Sequence, residues 1–336
     1  MIKLPPTLTL SSIHSHFGDV TQLDEDHIVL DFSKTSFSDP AASLFLIRWV
    51  ETARALGLTV TANWGAFEDG PLSDDMSKHS KWMFYNGVSG FRSALETGYV
   101  ATFTENPRAE GRYVKYQRFD LETFRQKRKE GEDGEARKLV RAFADKLGKQ
   151  AYPQSPDVPT FSRCLAELLE NVVWYAGDEA SCFVMSQLRP LSRSEEEAIH
   201  QKGHEASKKL EIAIFDDGVG LLSTLRDNAG VDDHASAVEM AVTPGVSSTQ
   251  GFDRGYGLAL LQTAASKGGF MYVATNNDED EGALVEVTAA RARPVAYPLA
   301  GTFVGVSILP ELVKLEAIDK MLRETAGPSH GTLDIR

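Results

Sequence analysis

Residues 210 to 220 read LEIAIFDDGVG, in which a hydrophobic segment ends in acidic residues and glycines. Aliphatic residues alternate with other residues from 209 to 215, which predicts a buried β-strand. Asp216 follows this strand and can accept a hydrogen bond from an exocyclic amine such as that of adenine. Gly218 and Gly220 permit positive φ angles and a close approach of a ligand to the backbone. The alternative is a glycine turn capped by the aspartate.

Upstream, residues 160 to 176 have the apolar spacing of an amphipathic helix. Glu167 and Asn171 are four residues apart and therefore lie one above the other on its polar side. A carboxylate can orient or deprotonate a water or hydroxyl, and an amide oxygen can bind Mg²⁺ without adding charge repulsion beside phosphates. Alternatively, both are exposed residues of an ordinary amphipathic helix.

Downstream, residues 243 to 265 read TPGVSSTQGFDRGYGLALLQTAA, a Gly-, Ser- and Thr-rich loop followed by a predicted helix over 256 to 267. A helix N-terminus offers unpaired N–H donors, and Gly255 and Gly257 would let them converge on an anion such as phosphate. The stretch lacks the G-x-x-x-x-G-K-[ST] signature of a P-loop and the preceding strand of a dinucleotide fold. These two nucleotide-binding folds are therefore not expected.

Gly301 and Thr302 open a last predicted strand and complete an ordered set of motifs. The set runs Glu-x-x-x-Asn, Asp-x-Gly-x-Gly, Gly-x-Gly-Leu and Gly-Thr over about 140 residues. This order resembles the histidine-kinase-like (GHKL) superfamily of gyrase, heat-shock chaperone, histidine kinase and mismatch-repair ATPases. The resemblance covers about residues 155 to 310. It implies a Bergerat-fold α/β sandwich with a mixed, mostly antiparallel sheet, and binding of ATP with Mg²⁺.

The resemblance also implies roles for individual residues. Asn171 would bind Mg²⁺, Glu167 would act as a general base or orient water, and Asp216 would recognise adenine with help from Thr302. Residues 221 to 254 would form a lid that closes on the nucleotide and gates turnover. The other residues expected to contact nucleotide are Gly218, Gly220, Gly245, Ser247, Ser248, Thr249, Arg254, Gly255, Tyr256, Gly257 and Leu258. The polar lid residues have an alternative interpretation as ordinary loop residues.

The N-terminal residues 1 to 105 are predicted to form a small α/β layer, with a strand over 27 to 32 and a helix that begins at Pro40. The stretch from 28 to 46, IVLDFSKTSFSDPAASLFL, resembles a STAS-like domain, the fold of anti-sigma-factor antagonists. Where that family has a phosphorylated D-S-S-G motif, residues 39 to 42 read DPAA, so phosphorylation at that position is excluded. The resemblance leaves a regulatory role and implies docking of a protein partner.

Length predicts about two domains for the 336 residues. We expect a charged linker and a connecting helix over 106 to 150, the nucleotide-binding domain over 151 to 310, and a C-terminal tail over 311 to 336. The net charge of −13 disfavours general binding to nucleic acid, whose affinity for proteins comes from Lys and Arg. Two cysteines, no long apolar run and no secretory signal predict a cytoplasmic protein that makes no membrane contact.

Three functions remain open at this point. The first is an ATP-dependent conformational switch with slow hydrolysis, with a nucleotide-dependent homodimer as one possible form. The second is a protein kinase that acts on a serine or histidine of a partner. The third is a nucleotide sensor or scaffold that does not hydrolyse ATP. Autophosphorylation on histidine is disfavoured, because even the nearest candidate, His204 before Glu205, lacks the sequence context of a phosphoacceptor helix.

Overall fold

Helices and strands are interspersed along the chain, in the mixed α/β class that the sequence predicts. The computed structural model describes residues 1–13, 17, 26–66, 77–79, 82, 91–97, 113–153, 155–246, 255–277, 282–288 and 295–326. The strands are Ile2–Lys3 (β1), Thr7–Leu8 (β2), His27–Asp31 (β3), Phe37–Ser38 (β4), Thr59–Asn63 (β5), Tyr113–Phe119 (β6), Cys182–Pro190 (β7), Lys208–Asp216 (β8), Phe270–Asn276 (β9), Gly282–Glu286 (β10), Val295–Tyr297 (β11) and Gly301–Ile308 (β12). The helices are Leu10–Ile13 (α1), Pro40–Ala55 (α2), Phe91–Thr97 (α3), Glu122–Lys129 (α4), Asp133–Ala151 (α5), Val158–Tyr175 (α6), Arg193–Gln201 (α7), Gly220–Ala229 (α8), His234–Ala241 (α9), Gly257–Ala265 (α10) and Leu315–Ala326 (α11).

The main sheet has seven strands in the order β11-β10-β9-β12-β8-β7-β6. Each neighbouring pair in it is antiparallel. Parallel pairing occurs in two small sheets, β1-β3-β5 and β2-β4. The prediction of a mostly antiparallel α/β architecture is confirmed. In the register of β8 and β12, Asp216 lies opposite Thr302. The Gly-Thr motif therefore lies beside the end of the strand that carries Asp216.

The two faces of the main sheet pack against different helices, because consecutive residues of a strand point to opposite sides. On the face that we call inner, Ile212 and Ile214 of β8 belong to one core with Leu165 and Leu168 of α6. On the outer face, Phe215 of β8 belongs to a second core that includes residues of α2. The sheet is therefore the middle layer of three.

Helix α2 covers the outer face. Its N-cap is Asp39, whose Oδ1 accepts a 2.6 Å hydrogen bond from the backbone N–H of Ala42, and the helix begins at Pro40 as predicted. The guanidinium of Arg48 lies 3.9 Å from the ring centroid of Phe183 and 5.1 Å from that of Phe215. The N-terminal segment thus contacts the strand that carries Asp216.

Two segments differ from the predicted organisation. Residues Tyr113–Phe119, expected within the linker, form β6 at the edge of the main sheet. The register between β6 and β7 shifts between Val114 and Gln117, and such a bulge disrupts the regular alternation that identifies a strand. Residues Leu315–Ala326, expected as a tail, form α11, which buries Leu315, Ile318 and Leu322 in the inner core.

The two cysteines are buried free thiols. Burial raises the pKa of the Cys164 thiol to about 12, which makes its reactive thiolate rare at neutral pH. None of the helices within the described ranges is long and apolar enough to span a lipid bilayer.

Candidate functional site

A cavity of about 80 Å³ lies at the end of β8 on the inner face, between the sheet and helices α6, α8 and α10. Its lining combines an apolar wall with a few polar groups, as is typical of small-molecule sites. The predicted site residues that line it are Asn171, Asp216, Gly255, Gly257, Leu258 and Thr302. Residues from all four sequence motifs therefore meet in one cavity.

Asp216 is the buried acid of this cavity, with 5% of its surface exposed. Its Oδ1 accepts a 3.1 Å hydrogen bond from the backbone N–H of Gly218, and the backbone N–H of Thr302 also donates to the carboxylate. Burial raises the pKa of Asp216 to about 7, with the charge of Asp217 adding to the rise. A carboxylate held in this way can accept a hydrogen bond from a ligand amine inside the cavity.

Two glycines permit the close packing around Asp216. A Cβ atom at Gly218 would lie 2.1 Å from the carbonyl oxygen of Ala176 at the end of α6. A Cβ at Gly301 would lie 1.8 Å from the carbonyl oxygen of Asp216, and its φ of 105° is a conformation that other residues rarely adopt. Gly220 begins α8, the helix that follows this turn. The glycines of the motif are thus required by backbone packing around the acid.

Asn171 of α6 lines the cavity with an unsatisfied amide. Its Nδ2 atom is buried and has no hydrogen-bond partner among the residues that the structure describes. Buried polar atoms in folded proteins almost always have a partner, so an exception indicates a place for a ligand or water. The amide oxygen of the same group fits as a single ligand to Mg²⁺, since that ion usually takes its remaining ligands from water and substrate phosphates.

Glu167, one turn before Asn171, is held beside the cavity but does not line it. Its Oε1 lies 2.7 Å from Nη2 of Arg163, and its side chain is 13% exposed. Its Oε2 lies 2.7 Å from the position that a Cβ at Gly257 would occupy, at the start of α10. Burial raises the pKa of Glu167, while the positive charge of Arg163 opposes the rise. The carboxylate is therefore fixed between an arginine and the predicted phosphate end.

The predicted phosphate end is formed where α10 begins. The backbone N–H of Gly245, in the second half of the predicted lid, donates a 2.9 Å hydrogen bond to the carbonyl of Gly255, which follows the lid. Tyr256 is the N-cap residue of α10, and the guanidinium of Arg323 lies 4.8 Å from its ring centroid. The predicted lid residues Ser247, Ser248, Thr249 and Arg254 lie outside the described residues.

Sequence reasoning missed the residues that connect this cavity to other layers. Arg163 is four residues before Glu167, a spacing that favours an ion pair on a helix and was available in the sequence. Nη2 of Arg163 also lies 3.7 Å from Oδ2 of Asp319 on α11. On the outer face, Nη2 of Arg48 lies 3.8 Å from Oδ2 of Asp217. No local sequence signal indicates these longer-range contacts.

Within the described ranges, no group of three His, Cys, Asp or Glu side chains could hold a metal ion by itself. The sequence resemblance assigns Mg²⁺ to the amide oxygen of Asn171, whereas the unpartnered atom of that amide is its nitrogen, a hydrogen-bond donor. No protein-family model matches the chain. A search of curated proteins gives no match either. The interpretation of this cavity therefore depends on its residues and their geometry.

Proposed function

We propose that this protein binds ATP with Mg²⁺ at the inner-face cavity, which would widen to admit the nucleotide, and acts as a nucleotide-operated conformational switch with slow hydrolysis. The observation that carries the proposal is that buried Asp216 and the unpartnered amide of Asn171 line one cavity with Gly255 and Gly257. Adenine would donate its exocyclic amine to Asp216, and the phosphates would lie at the N-terminus of α10.

Each residue has a distinct part in this proposal. Asn171 would hold Mg²⁺, which neutralises phosphate charge. Asp216 would orient the base, with the backbone N–H of Thr302 keeping its carboxylate in place. Glu167 would orient water or accept its proton, because its carboxyl lies beside Gly257 and its raised pKa moves it towards neutral pH.

A switch also requires a physical link from the nucleotide to another surface. Two contacts support such a link: Arg48 of α2 reaches Asp217, the neighbour of Asp216, and Arg163 lies between Glu167 and Asp319 of α11. Nucleotide binding would change the electrostatic environment of Arg48 and Arg163. The N-terminal STAS-like segment would then present a different surface to a protein partner in the cytoplasm, and a nucleotide-dependent homodimer is one form of this response.

A second candidate, a nucleotide sensor that does not hydrolyse ATP, is favoured by one observation. Glu167 is already engaged by Arg163 at 2.7 Å and does not line the cavity. If this ion pair persists with nucleotide bound, the carboxylate cannot activate water. ATP would then be bound and released intact.

Incubation of the full chain with γ-labelled ATP and Mg²⁺ distinguishes these functions. A switch with hydrolysis releases free phosphate, and Glu167→Ala abolishes the release while ATP binding persists. Glu170→Ala is the matched control, since Glu170 lies on the same helix and pairs with Arg137 and Arg141 instead. Label on the protein or on an added partner would indicate a kinase. Intact ATP throughout would support the sensor.

Removal of the Asn171 amide tests the site itself. We expect Asn171→Ala to weaken ATP binding in Mg²⁺ by about tenfold or more, because the amide oxygen that would bind the metal is lost. The measurement is titration calorimetry with and without Mg²⁺. In EDTA the variant and the parent should differ little. Equal affinity of both proteins in Mg²⁺ would refute the assignment.

A further inference from the structure

A second cavity, of about 910 Å³, lies on the outer face of the main sheet, away from the proposed nucleotide site. It is formed by the start of α2, by β4, and by the ends of β7 and β8 that lie farthest from Asp216. We call it the outer cavity. Its lining includes Phe37, Asp39, Trp82, Arg189, Lys209 and Phe270. Nothing in the proposed ATP chemistry uses these residues.

Asp39 has an unused acceptor in the outer cavity. The residue is 2% exposed, and its Oδ1 accepts the capping hydrogen bond from Ala42 at 2.6 Å. Its Oδ2 is buried and has no hydrogen-bond partner within the described part of the chain. Helix capping needs only one of the two oxygens. The second oxygen therefore lacks a protein donor, and the residue that carries it lines the outer cavity.

The basic side chains Arg189 and Lys209 of the outer cavity already have acidic partners. Nη1 and Nη2 of Arg189 each lie 2.7 Å from an oxygen of Glu195, and Nη2 also lies 3.2 Å from Oε1 of Glu211. Nζ of Lys209 donates to Glu195 at 2.6 Å. Lys78, at the cavity lining, is exposed to solvent. A buried anion would thus find few free donors, whereas a cation would find the free oxygen of Asp39.

Aromatic side chains supply the apolar part of the lining. The guanidinium of Arg189 lies 5.3 Å from the ring centroid of Phe37, and Nζ of Lys209 lies 5.8 Å from that of Phe270. Trp82 donates a 3.1 Å hydrogen bond from Nε1 to Oγ of Ser38, which fixes the indole at the wall. These side chains give the cavity an apolar surface that a hydrocarbon body can contact.

We propose that the outer cavity binds a small primary amine in its ammonium form, with the nitrogen on Oδ2 of Asp39 and the hydrocarbon part against Phe37, Trp82 and Phe270. Burial, together with the charge of Glu211, raises the pKa of Asp39 to about 8, while Arg189 and Lys209 oppose the rise. An ammonium group beside this carboxyl favours its ionised form. Binding at neutral pH therefore releases a proton from Asp39.

Calorimetric titration of the full chain with benzylamine, cyclohexylamine and butylamine tests this site. Benzyl alcohol, cyclohexanol and butanol are the uncharged controls, and benzoate is the anionic one. We expect at least one amine to bind about tenfold or more tightly than its alcohol, since a hydrogen bond between charged groups replaces a neutral one. The apparent heat should vary with the ionisation enthalpy of the buffer, because a proton is released.

The matched variant is Asp39→Asn, which keeps a good helix cap but removes the charge. It should bind the amine no better than the alcohol, show no proton release, and bind ATP as the parent does. Should Asp39→Asn fail to fold, Asp39→Ser offers a second capping residue without charge. Amine affinity that is unchanged in these variants, no preference of any amine over its alcohol, or preferential binding of benzoate would each overturn the proposal.

Discussion

Two buried aspartates, on opposite faces of one sheet, make the most instructive comparison in this molecule. Asp216 ends β8 on the inner face, and Asp39 caps α2 on the outer face. Both carboxyls are almost fully buried, and both line a cavity. The cavity of Asp216 is lined in part by residues of four short motifs, whereas that of Asp39 is lined by segments that carry no recognised motif. A site built from motifs can be predicted from the sequence, whereas a site without motifs cannot.

The largest effect that we expect concerns the pH dependence of the two aspartates. Burial raises the pKa of Asp39 to about 8 and that of Asp216 to about 7, from 3.8. The native state therefore holds these protons more strongly than the unfolded state, so stability falls as the pH rises from 3.8 towards 7 or 8. At 1.36 kcal/mol per unit, the loss is about 6 kcal/mol for Asp39 and about 4 kcal/mol for Asp216.

Urea unfolding at several pH values measures this loss. The asparagines of Asp39→Asn and Asp216→Asn do not titrate, so each variant should gain stability relative to the parent as the pH rises. The gain should level off above about pH 8 for Asp39→Asn and above about pH 7 for Asp216→Asn. Asp178→Asn is a surface control of opposite sign, because Lys129 lowers the pKa of exposed Asp178. Parallel stability profiles for the parent and the two buried variants would contradict the buried-acid interpretation.

Two glycines, one beside Asp216 and one at the far end of α2 from Asp39, predict a second, smaller difference. Gly301, beside Asp216, leaves no space for a Cβ atom, whereas Gly57, after the end of α2, has nothing within 4 Å of such an atom. Their φ angles, 105° and 88°, are both unfavourable for alanine. We expect Gly301→Ala to lower the free energy of unfolding by about 4 kcal/mol and Gly57→Ala by about 1 kcal/mol. Equal losses in urea unfolding would show that the packing at Gly301 can relax.

The smallest effect concerns the link between α11 and the inner cavity. Arg323→Ala removes the guanidinium that lies 4.8 Å from the ring centroid of Tyr256. We expect ATP affinity to fall by about threefold, in keeping with the modest energy of an exposed cation–π contact. Lys320→Ala is the matched control, because its side chain is 77% exposed on the same helix. A loss of the same size in both variants would argue against a specific contact.

Sequence reasoning identified those elements whose pattern is local. Strand β8 was predicted from its alternation, α6 from its helical spacing, and α10 as the helix that follows a glycine-rich loop. All three are present, with ends within a few residues of those expected. Strand β6 was missed, because its register shift breaks the alternation. Helix α11 was missed because no motif of the resemblance reaches that far, although Leu315, Ile318 and Leu322 have helical spacing.

The candidate sites also differ in whether their residues carry a local sequence signal. The motif residues Asn171, Asp216, Gly257 and Thr302 were predicted individually and line one cavity. The ion pair of Glu167 with Arg163 was within reach of a spacing argument. The outer cavity was not predictable, since its walls become neighbours only when α2 packs on the sheet. Tertiary packing, and not local preference, determines that site.

The packing of α2 on the outer face has a consequence for how the chain is synthesised. Phe45 and Trp49 of α2 share a core with Phe215 of β8 and Phe303 of β12, so partners of this early helix lie near both the middle and the end of the chain. Contacts between distant parts of a sequence form slowly, and domains are translated over many seconds. The apolar face of α2 therefore reaches its full set of partners only after β12 has been synthesised.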